Sequence, residues 1–217
     1  IKLFTIGNTT TVIKPPYLRE SFTKQGKKVS QVLAETLPNT FVLAISAIVI
    51  AIILGVALGI VSALYKDKWL DKTIQIFSTL GMSVPSFFSA ILFAWLFGYV
   101  LHKYTNLEMT GSLYELDDFG ESMHIKWKNL ILPAVVLGIR PLAVVIQLMR
   151  NSLLEVFNQD YIRTARAKGL SEFQIIKKHA IKNALNPVVT AISGWFASML
   201  AGAVFVEYIF GWNGLGK

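Results

Sequence analysis

Thirty consecutive residues, Thr36 to Tyr65, carry no charged side chain, and their heart reads FVLAISAIVIAIILGVALGIVSALY. A helix needs roughly 20 apolar residues to cross the hydrocarbon core of a bilayer, so an uncharged run of this length marks a transmembrane helix. Three more runs follow: Thr73 to His102, Asn129 to Met149 interrupted only by Arg140, and Asn183 to Val206. None alternates with the period of two that a barrel strand requires. The expected fold is all-α, a polytopic transmembrane helical bundle with four spans at about 39–64, 73–101, 129–150 and 187–209. Composition agrees: charged residues are 16% of the chain against about 25% in soluble domains, and mean hydropathy is +0.53.

The net charge of +8 would suggest nucleic acid in a soluble protein. In a membrane protein, basic residues gather in cytoplasmic loops, which accounts for the charge without a nucleic-acid partner. The first loop, KDKWLDK, holds three lysines against two aspartates, and Arg150 to Lys182 holds seven basic and three acidic residues. Lys103 to Lys128 holds three basic and five acidic residues. Loops one and three are therefore expected in the cytoplasm and loop two outside. Residues 1–38, with six basic and two acidic residues, would form an external segment with a short amphipathic lead-in. That placement opposes the charge rule, and a further span before Ile1 would reconcile it. The chain starts without methionine and shows no signal-peptide pattern, so a fragment of a longer membrane protein is expected. It has no cysteine, which excludes disulfides and thiolate metal sites.

Within the spans, Gly55 and Gly59 form G-x-x-x-G, a spacing that lets two helix backbones approach closely. The facing helix could belong to this chain or to another subunit. Pro85, in SVPSFF, removes a mid-span hydrogen bond and is expected to kink the second helix, as structure or as a flank of a translocation path.

The third loop, 151–186, reads NSLLEVFNQDYIRTARAKGLSEFQIIKKHAIKNALN. Ala165, Ala167 and the long side chains around them favour helix up to Lys168. Gly169 then stands where a helix ends in left-handed geometry, which costs glycine nothing. Ser171 with Gln174 gives S-x-x-Q, a capping box opening a second helix that runs until Pro187 marks the start of the fourth span. The result is helix, glycine turn, helix on the cytoplasmic face. An amphipathic pair resting on lipid is one reading. A docking surface is the other, because Tyr161, Thr164 and small alanines share the first helix with Arg163 and Arg166.

QDYIRTARAKGLSEFQIIKKHAIKNALNP closely resembles the signature loop of ATP-binding-cassette importer permeases, in the dipeptide/oligopeptide/nickel branch. Arg163, Thr164 and Ala165 stand at the E-A-A positions of the wider pattern and Gly169 at its glycine, with Arg163 in place of glutamate. No I-x-L-P follows; His179-Ala180-Ile181-Lys182 stands there instead. LPNTFVLA, SVPSFF and VFVEYIFGWNGLGK are similar to other segments of the family, so the resemblance covers the chain from about Val29 onward.

The resemblance implies a type I importer permease of six spans, four of them here, spanning residues 39–217 in a bacterial inner membrane. It implies a second homologous permease subunit, two cytoplasmic ATP-binding subunits, an external solute-binding protein, and surrounding membrane lipid. No cofactor would be bound directly; ATP and Mg would act through the partner ATPase, so this chain would not be an enzyme. The coupling residues would be Tyr161, Arg163, Thr164, Ala165, Ala167 and Gly169. The cargo would be di- or oligopeptides, with nickel or another small solute as the alternative within the branch.

Arg140, beside Pro141, lies mid-span, where a charge costs at least about 2.5 kcal/mol on insertion scales and marks a functional candidate. It could line the path and meet a peptide carboxylate, pair internally, or snorkel. Gln147 lies two turns further on a similar face, and with Pro85 completes the candidate path. Glu207 ends the fourth span and is expected to be partly solvated, as an outer gate or an interfacial anchor. Trp95, Tyr99 and Trp127 read as interfacial aromatics. His102, His124 and His179 show no metal-ligand spacing. A membrane-embedded enzyme would need clustered catalytic groups that the spans lack, and a passive channel leaves the docking loop unexplained. The chain ends on Gly211 to Lys217, G-x-x-x-x-G-K, the pattern of a phosphate loop without its Ser or Thr. A phosphate loop needs a strand before it and a helix after it, whereas a transmembrane helix precedes this one. Its glycines are expected to turn the chain out of the fourth span.

Overall fold

A computed structural model describes residues 2–6, 9–12, 18–22, 24–116 and 122–216. Strands β1 (Lys2–Ile6) and β2 (Thr9–Val12) form an antiparallel hairpin ahead of helix α1 (Val29–Leu64). Helix α2 (Trp69–Ser83) is followed by α3 (Ser86–Phe93), which continues as a π-helical turn over Ala94–Val100, and by the short α4 (His102–Thr105). A second antiparallel hairpin pairs β3 (Tyr114–Leu116) with β4 (Met123–Ile125). Then come α5 (Lys128–Phe157), α6 (Asp160–Ala167), α7 (Glu172–Ile175), a π turn over Ile176–Ala180, and α8 (Ile181–Phe210). The two hairpins are additions to the expected all-α bundle.

The buried stripe of α1 runs Thr36, Thr40, Leu43, Ala44, Ala47, Ile48, Ala51, Gly55, Gly59, Ser62 and Ala63, at helical spacing and mostly small. Large aliphatic residues such as Ile45, Val49, Ile53 and Leu54 point outward. Lipid solvates large apolar side chains as well as a protein core does, so small residues are drawn to the contact, where they allow close backbones. The G-x-x-x-G pair resolves to a contact within this chain. A Cβ on Gly55 would come within 2.6 Å of Val145 Cγ1, and one on Gly59 within 2.9 Å of the Ile146 carbonyl oxygen. Gly138 of α5 returns the contact against the Ala47 carbonyl oxygen at 2.9 Å.

Among the described residues, three helices are long and apolar enough to cross a membrane: α1, α5, and a continuous helix from Glu172 to Phe210. The second apolar run is not one kinked helix. It breaks between Ser83 and Ser86 with a bend of 109°. Pro85 becomes the N-cap of α3, and its missing N–H leaves α2 without a next turn. Pro187 also departs from expectation, since it sits inside α8 instead of starting a new helix. A proline costs a helix one hydrogen bond. Burial of Ala180, Ala184 and Val188 on one face carries the helix through it.

Two buried clusters form. One joins Leu43, Ala44 and Ala47 of α1 to Ala90, Leu132, Val136, Met199, Ala203, Phe210 and Trp212. The other, at the opposite end, joins Ala63 of α1 to Val145, Met149, Leu153 and Val156 of α5, to Ile162 and Ala165 of α6, and to Ile175, Ala184 and Val188.

Candidate coupling face and translocation cleft

Helix α6 is closed by local chemistry. Gly169 takes φ +79°, the Leu170 N–H donates to the Ala165 carbonyl at 3.3 Å, and the Gly169 N–H donates to that of Arg166 at 2.9 Å. These two bonds define a Schellman motif, which satisfies carbonyls left free at the helix end. The capping box forms as expected: the Gln174 N–H donates to Ser171 Oγ at 3.4 Å, and the Ser171 N–H to Gln174 Oε1 at 3.1 Å. Arg166 spans the corner, donating to Glu172 from Nε at 2.9 Å and from Nη2 at 3.4 Å. Asn183 of α8 donates to the Tyr161 hydroxyl at 2.9 Å.

The faces of α6 sort the candidate coupling residues. Ile162 and Ala165 are buried in the lower cluster and fasten α6 to the bundle. Ala165 therefore packs inward. Tyr161, Arg163, Thr164, Ala167 and Gly169 are exposed, Arg163 pairing with Asp160 at 3.5 Å and Thr164 donating to the Asp160 carbonyl at 3.0 Å.

Close by, Asp71 in the first turn of α2 accepts a fork from Arg150 of α5: Nε to Oδ1 at 2.7 Å and Nη2 to Oδ2 at 2.6 Å. Ser62 Oγ also donates to Oδ1, at 2.5 Å, and the Asp67 N–H to Oδ2, at 2.9 Å. Asp71 is 2% exposed.

At the α2–α3 break lies a cleft of about 160 Å³, whose lining includes Gly81, Ser86, Ser89, Arg140, Trp195 and Ser198. Arg140 lines it and donates from Nη2 to the Met82 carbonyl at a long 3.4 Å. A cation at the C-terminal end of α2 opposes the negative end of that helix dipole. Pro85 adjoins the cleft through Val84 and Ser86 without lining it, and the half-buried Gln147 lies outside its lining.

Glu207 corrects the expectation of a solvated carboxylate, for it is 0% exposed. Thr40 Oγ donates to its Oε1 at 2.6 Å and the Gly216 N–H to its Oε2 at 2.7 Å. The Leu215 N–H in turn donates to Thr40 Oγ at 2.9 Å. Trp212 is buried and donates from its indole to the Asn39 carbonyl at 3.1 Å. Gly211, at φ +67°, ends α8 and turns the chain back onto α1. The tail that resembles a phosphate loop thus wraps a carboxyl group that the chain itself supplies. A Cβ on Gly214 would collide with that carboxylate. Lys217 lies outside the described residues.

The sequence pattern of the family described as binding-protein-dependent transport system inner membrane component matches residues 55–217. The chain belongs to this family. Among curated relatives, a putative peptide permease protein of Brucella suis biovar 1 (strain 1330) is 38% identical, covering 92% of this chain and 61% of that protein. The dipeptide transport system permease protein DppB of Bacillus subtilis (strain 168) is also 38% identical, covering 91% of this chain and 59% of its own length. The chain spans about three fifths of the length of these relatives. A solved structure of the MetNI methionine ABC transporter, in inward-facing conformations, shares the fold. Its TM-score is 0.64 at 16% identity, covering 86% of this chain and 78% of that one.

The expected importer-permease fold is thereby established, in a multi-pass membrane protein of an inner membrane component family. Sequence reading of this chain missed Asp71–Arg150 and the partners of Glu207. A signal existed for the first. Asp71 opens the second apolar run and Arg150 closes the third, so two opposite charges were bound to fall at one end of the bundle.

Proposed function

We propose that this chain is the central part of the membrane-spanning subunit of an ATP-driven importer for di- or oligopeptides. The single observation that carries this reading is the α6 corner, anchored inward by Ile162 and Ala165 and exposed through Tyr161, Arg163, Thr164 and Ala167. A short helix with a buried root and an exposed polar and basic face, with Thr164 and Ala167 among the larger Tyr161 and Arg163, suits a cleft in a cytoplasmic ATPase. Closure of an ATPase pair on nucleotide would drag α6 and rock the spans between two states. Peptide cargo is supported by the names of the relatives, which are peptide and dipeptide permeases.

In this reading the α2–α3 break and Arg140 flank the translocation path, with Gln147 further along the same helix. A homologous permease completes the path, two ATP-binding subunits supply ATP and Mg chemistry, and an external solute-binding protein delivers cargo. The bundle end bearing α6 is cytoplasmic, in a bacterial inner membrane. Glu207 fastens the tail instead of gating.

The test is reconstitution of the full-length permease with its companion subunits in liposomes, followed by uptake of a labelled dipeptide. ATP-dependent uptake that requires the binding protein, together with an ATPase that co-purifies through α6, is expected. Absence of a bound ATPase from the intact permease complex would overturn the proposal.

A further inference from the structure

Helix α2 lies on the outside of the bundle, packed against α5 and α1 along one side. Of its fifteen residues only Asp71 and Ser78 are buried, and Ile76, Phe77 and Leu80 are exposed by more than half. Its upper end stops at the break beside the cleft. Near that end α2 still passes close to α5, a Cβ on Gly81 coming within 3.1 Å of Ile139 Cγ2, but the polar link there is the long one from Arg140 to the Met82 carbonyl. The polar fastening of α2 is concentrated at its foot, where Asp71 accepts four hydrogen bonds from Arg150, Ser62 and the Asp67 N–H and where Gln75 Nε2 donates to Ser62 Oγ at 3.1 Å.

Stability alone does not account for such a pair. Desolvating two charges offsets most of their attraction, and a well-packed apolar replacement is often as stable. What a bidentate fork adds is geometry, since it fixes distance and orientation together. Here it joins the last turn of α1, the foot of α2 and the lower part of α5. The neighbours in sequence of two of these groups, Ala63 beside Ser62 and Met149 beside Arg150, belong to the buried cluster that also contains Ile162 and Ala165 of α6. A packed route thus runs from α6 through α5 to the foot of α2, and along α2 to the break at the cleft.

We infer that Asp71 and Arg150 are a positioning pair for transport: they make the foot of α2 follow α5 when α6 is moved, so that the broken helix at the cleft shifts with the ATPase. This rests on the reading of α6 as the ATPase-docking helix. Neither residue touches cargo, and both act through α2.

The experiment uses the complete transporter in liposomes and measures labelled dipeptide imported per ATP hydrolysed. Asp71→Asn keeps the shape and weakens the fork, and should lower that ratio at least tenfold while the ATPase still co-purifies. Arg150→Lys keeps the charge without the fork and should give an intermediate ratio. This chain has no cysteine, so single cysteines at the exposed positions Lys72 and Asn151 can carry spin labels. Their separation should be unchanged between nucleotide-free and ATP-trapped states in the native background, and should differ between the states in the Asp71→Asn background. A ratio within twofold of native in Asp71→Asn would overturn the inference, as would a native separation that changes with nucleotide. If Asp71→Asn does not assemble, the Arg150→Lys ratio and the native separation decide. Failure of the α6 reading is read separately, as unaltered ATPase co-purification in Ala167→Glu.

Discussion

Thr40 and Glu207 are 167 positions apart in sequence, yet the threonine hydroxyl donates to the glutamate carboxylate at 2.6 Å in a site closed to solvent. The same hydroxyl accepts the Leu215 N–H, and the other carboxylate oxygen accepts the Gly216 N–H. An amide in place of the carboxylate must aim a donor at one of these groups. Glu207→Gln should therefore destabilise the bundle by about 1–3 kcal/mol, the cost of a buried group left unpaired. Thr40→Val should act in the same direction. Thermal unfolding of the detergent-solubilised permease checks both, and the double variant should lose less than the sum, because one network is broken twice.

Gly214 touches the same carboxylate. Gly214→Ala should lower the unfolding midpoint in the native background and have a much smaller effect beside Glu207→Ala, where the colliding group is gone. Equal effects in both backgrounds would contradict the contact.

Gly59 permits the close approach of α1 and α5. Gly59→Val forces branched bulk against Met149 and the Ile146 carbonyl, and should cost about 1–3 kcal/mol as overpacking. The same substitution at Gly194, with nothing within 4 Å of its Cβ position, should lack this steric cost. Comparing unfolding midpoints of the two variants tests the assignment.

Opposite outcomes are expected for two alanines in α6. Ala165→Glu places a charge in the lower cluster and should reduce the amount of folded permease recovered from membranes. Ala167→Glu lies on the exposed face and should leave recovery normal while removing the co-purifying ATPase.

Arg140 separates a path role from a purely structural one. Arg140→Gln should cut dipeptide uptake at least tenfold at normal membrane levels, with Arg140→Lys retaining part of it. Normal uptake by the glutamine variant would assign Arg140 to capping α2 alone.

Features that depend on neighbours in sequence were legible from the residues alone. Gly169 ended its helix and Ser171 with Gln174 opened the next, because Schellman and capping-box bonds close within six residues. The G-x-x-x-G pair announced a close contact without naming its partner, which only the fold could supply. Non-local choices were not legible. Glu207 looked solvated because nothing in its own helix foretells a tail that folds back over it. Pro85 signalled an interruption, but the 109° bend depends on how α3 packs against α8 and α5. Ala165 looked like docking surface because its size suits either side of α6, and packing placed it inside.

If the cleft flanks the translocation path as proposed, the break after Ser83 bears on what can pass. Pro85 offers no N–H, and the chain turns away, so the last carbonyls of α2 receive no further helical bonds. Peptide oxygens in that condition are not tolerated against hydrocarbon and persist only where protein or water meets them. Arg140 meets the one on Met82 at the outer limit of bonding distance. The remaining carbonyls at this end of α2 must likewise be met by protein or water, and main-chain oxygen is a polar group that every residue type supplies alike. On the proposed reading of the cleft as part of a translocation path, main-chain oxygens met by water would place few demands on the side chains of a passing peptide, which suits cargo defined by its backbone.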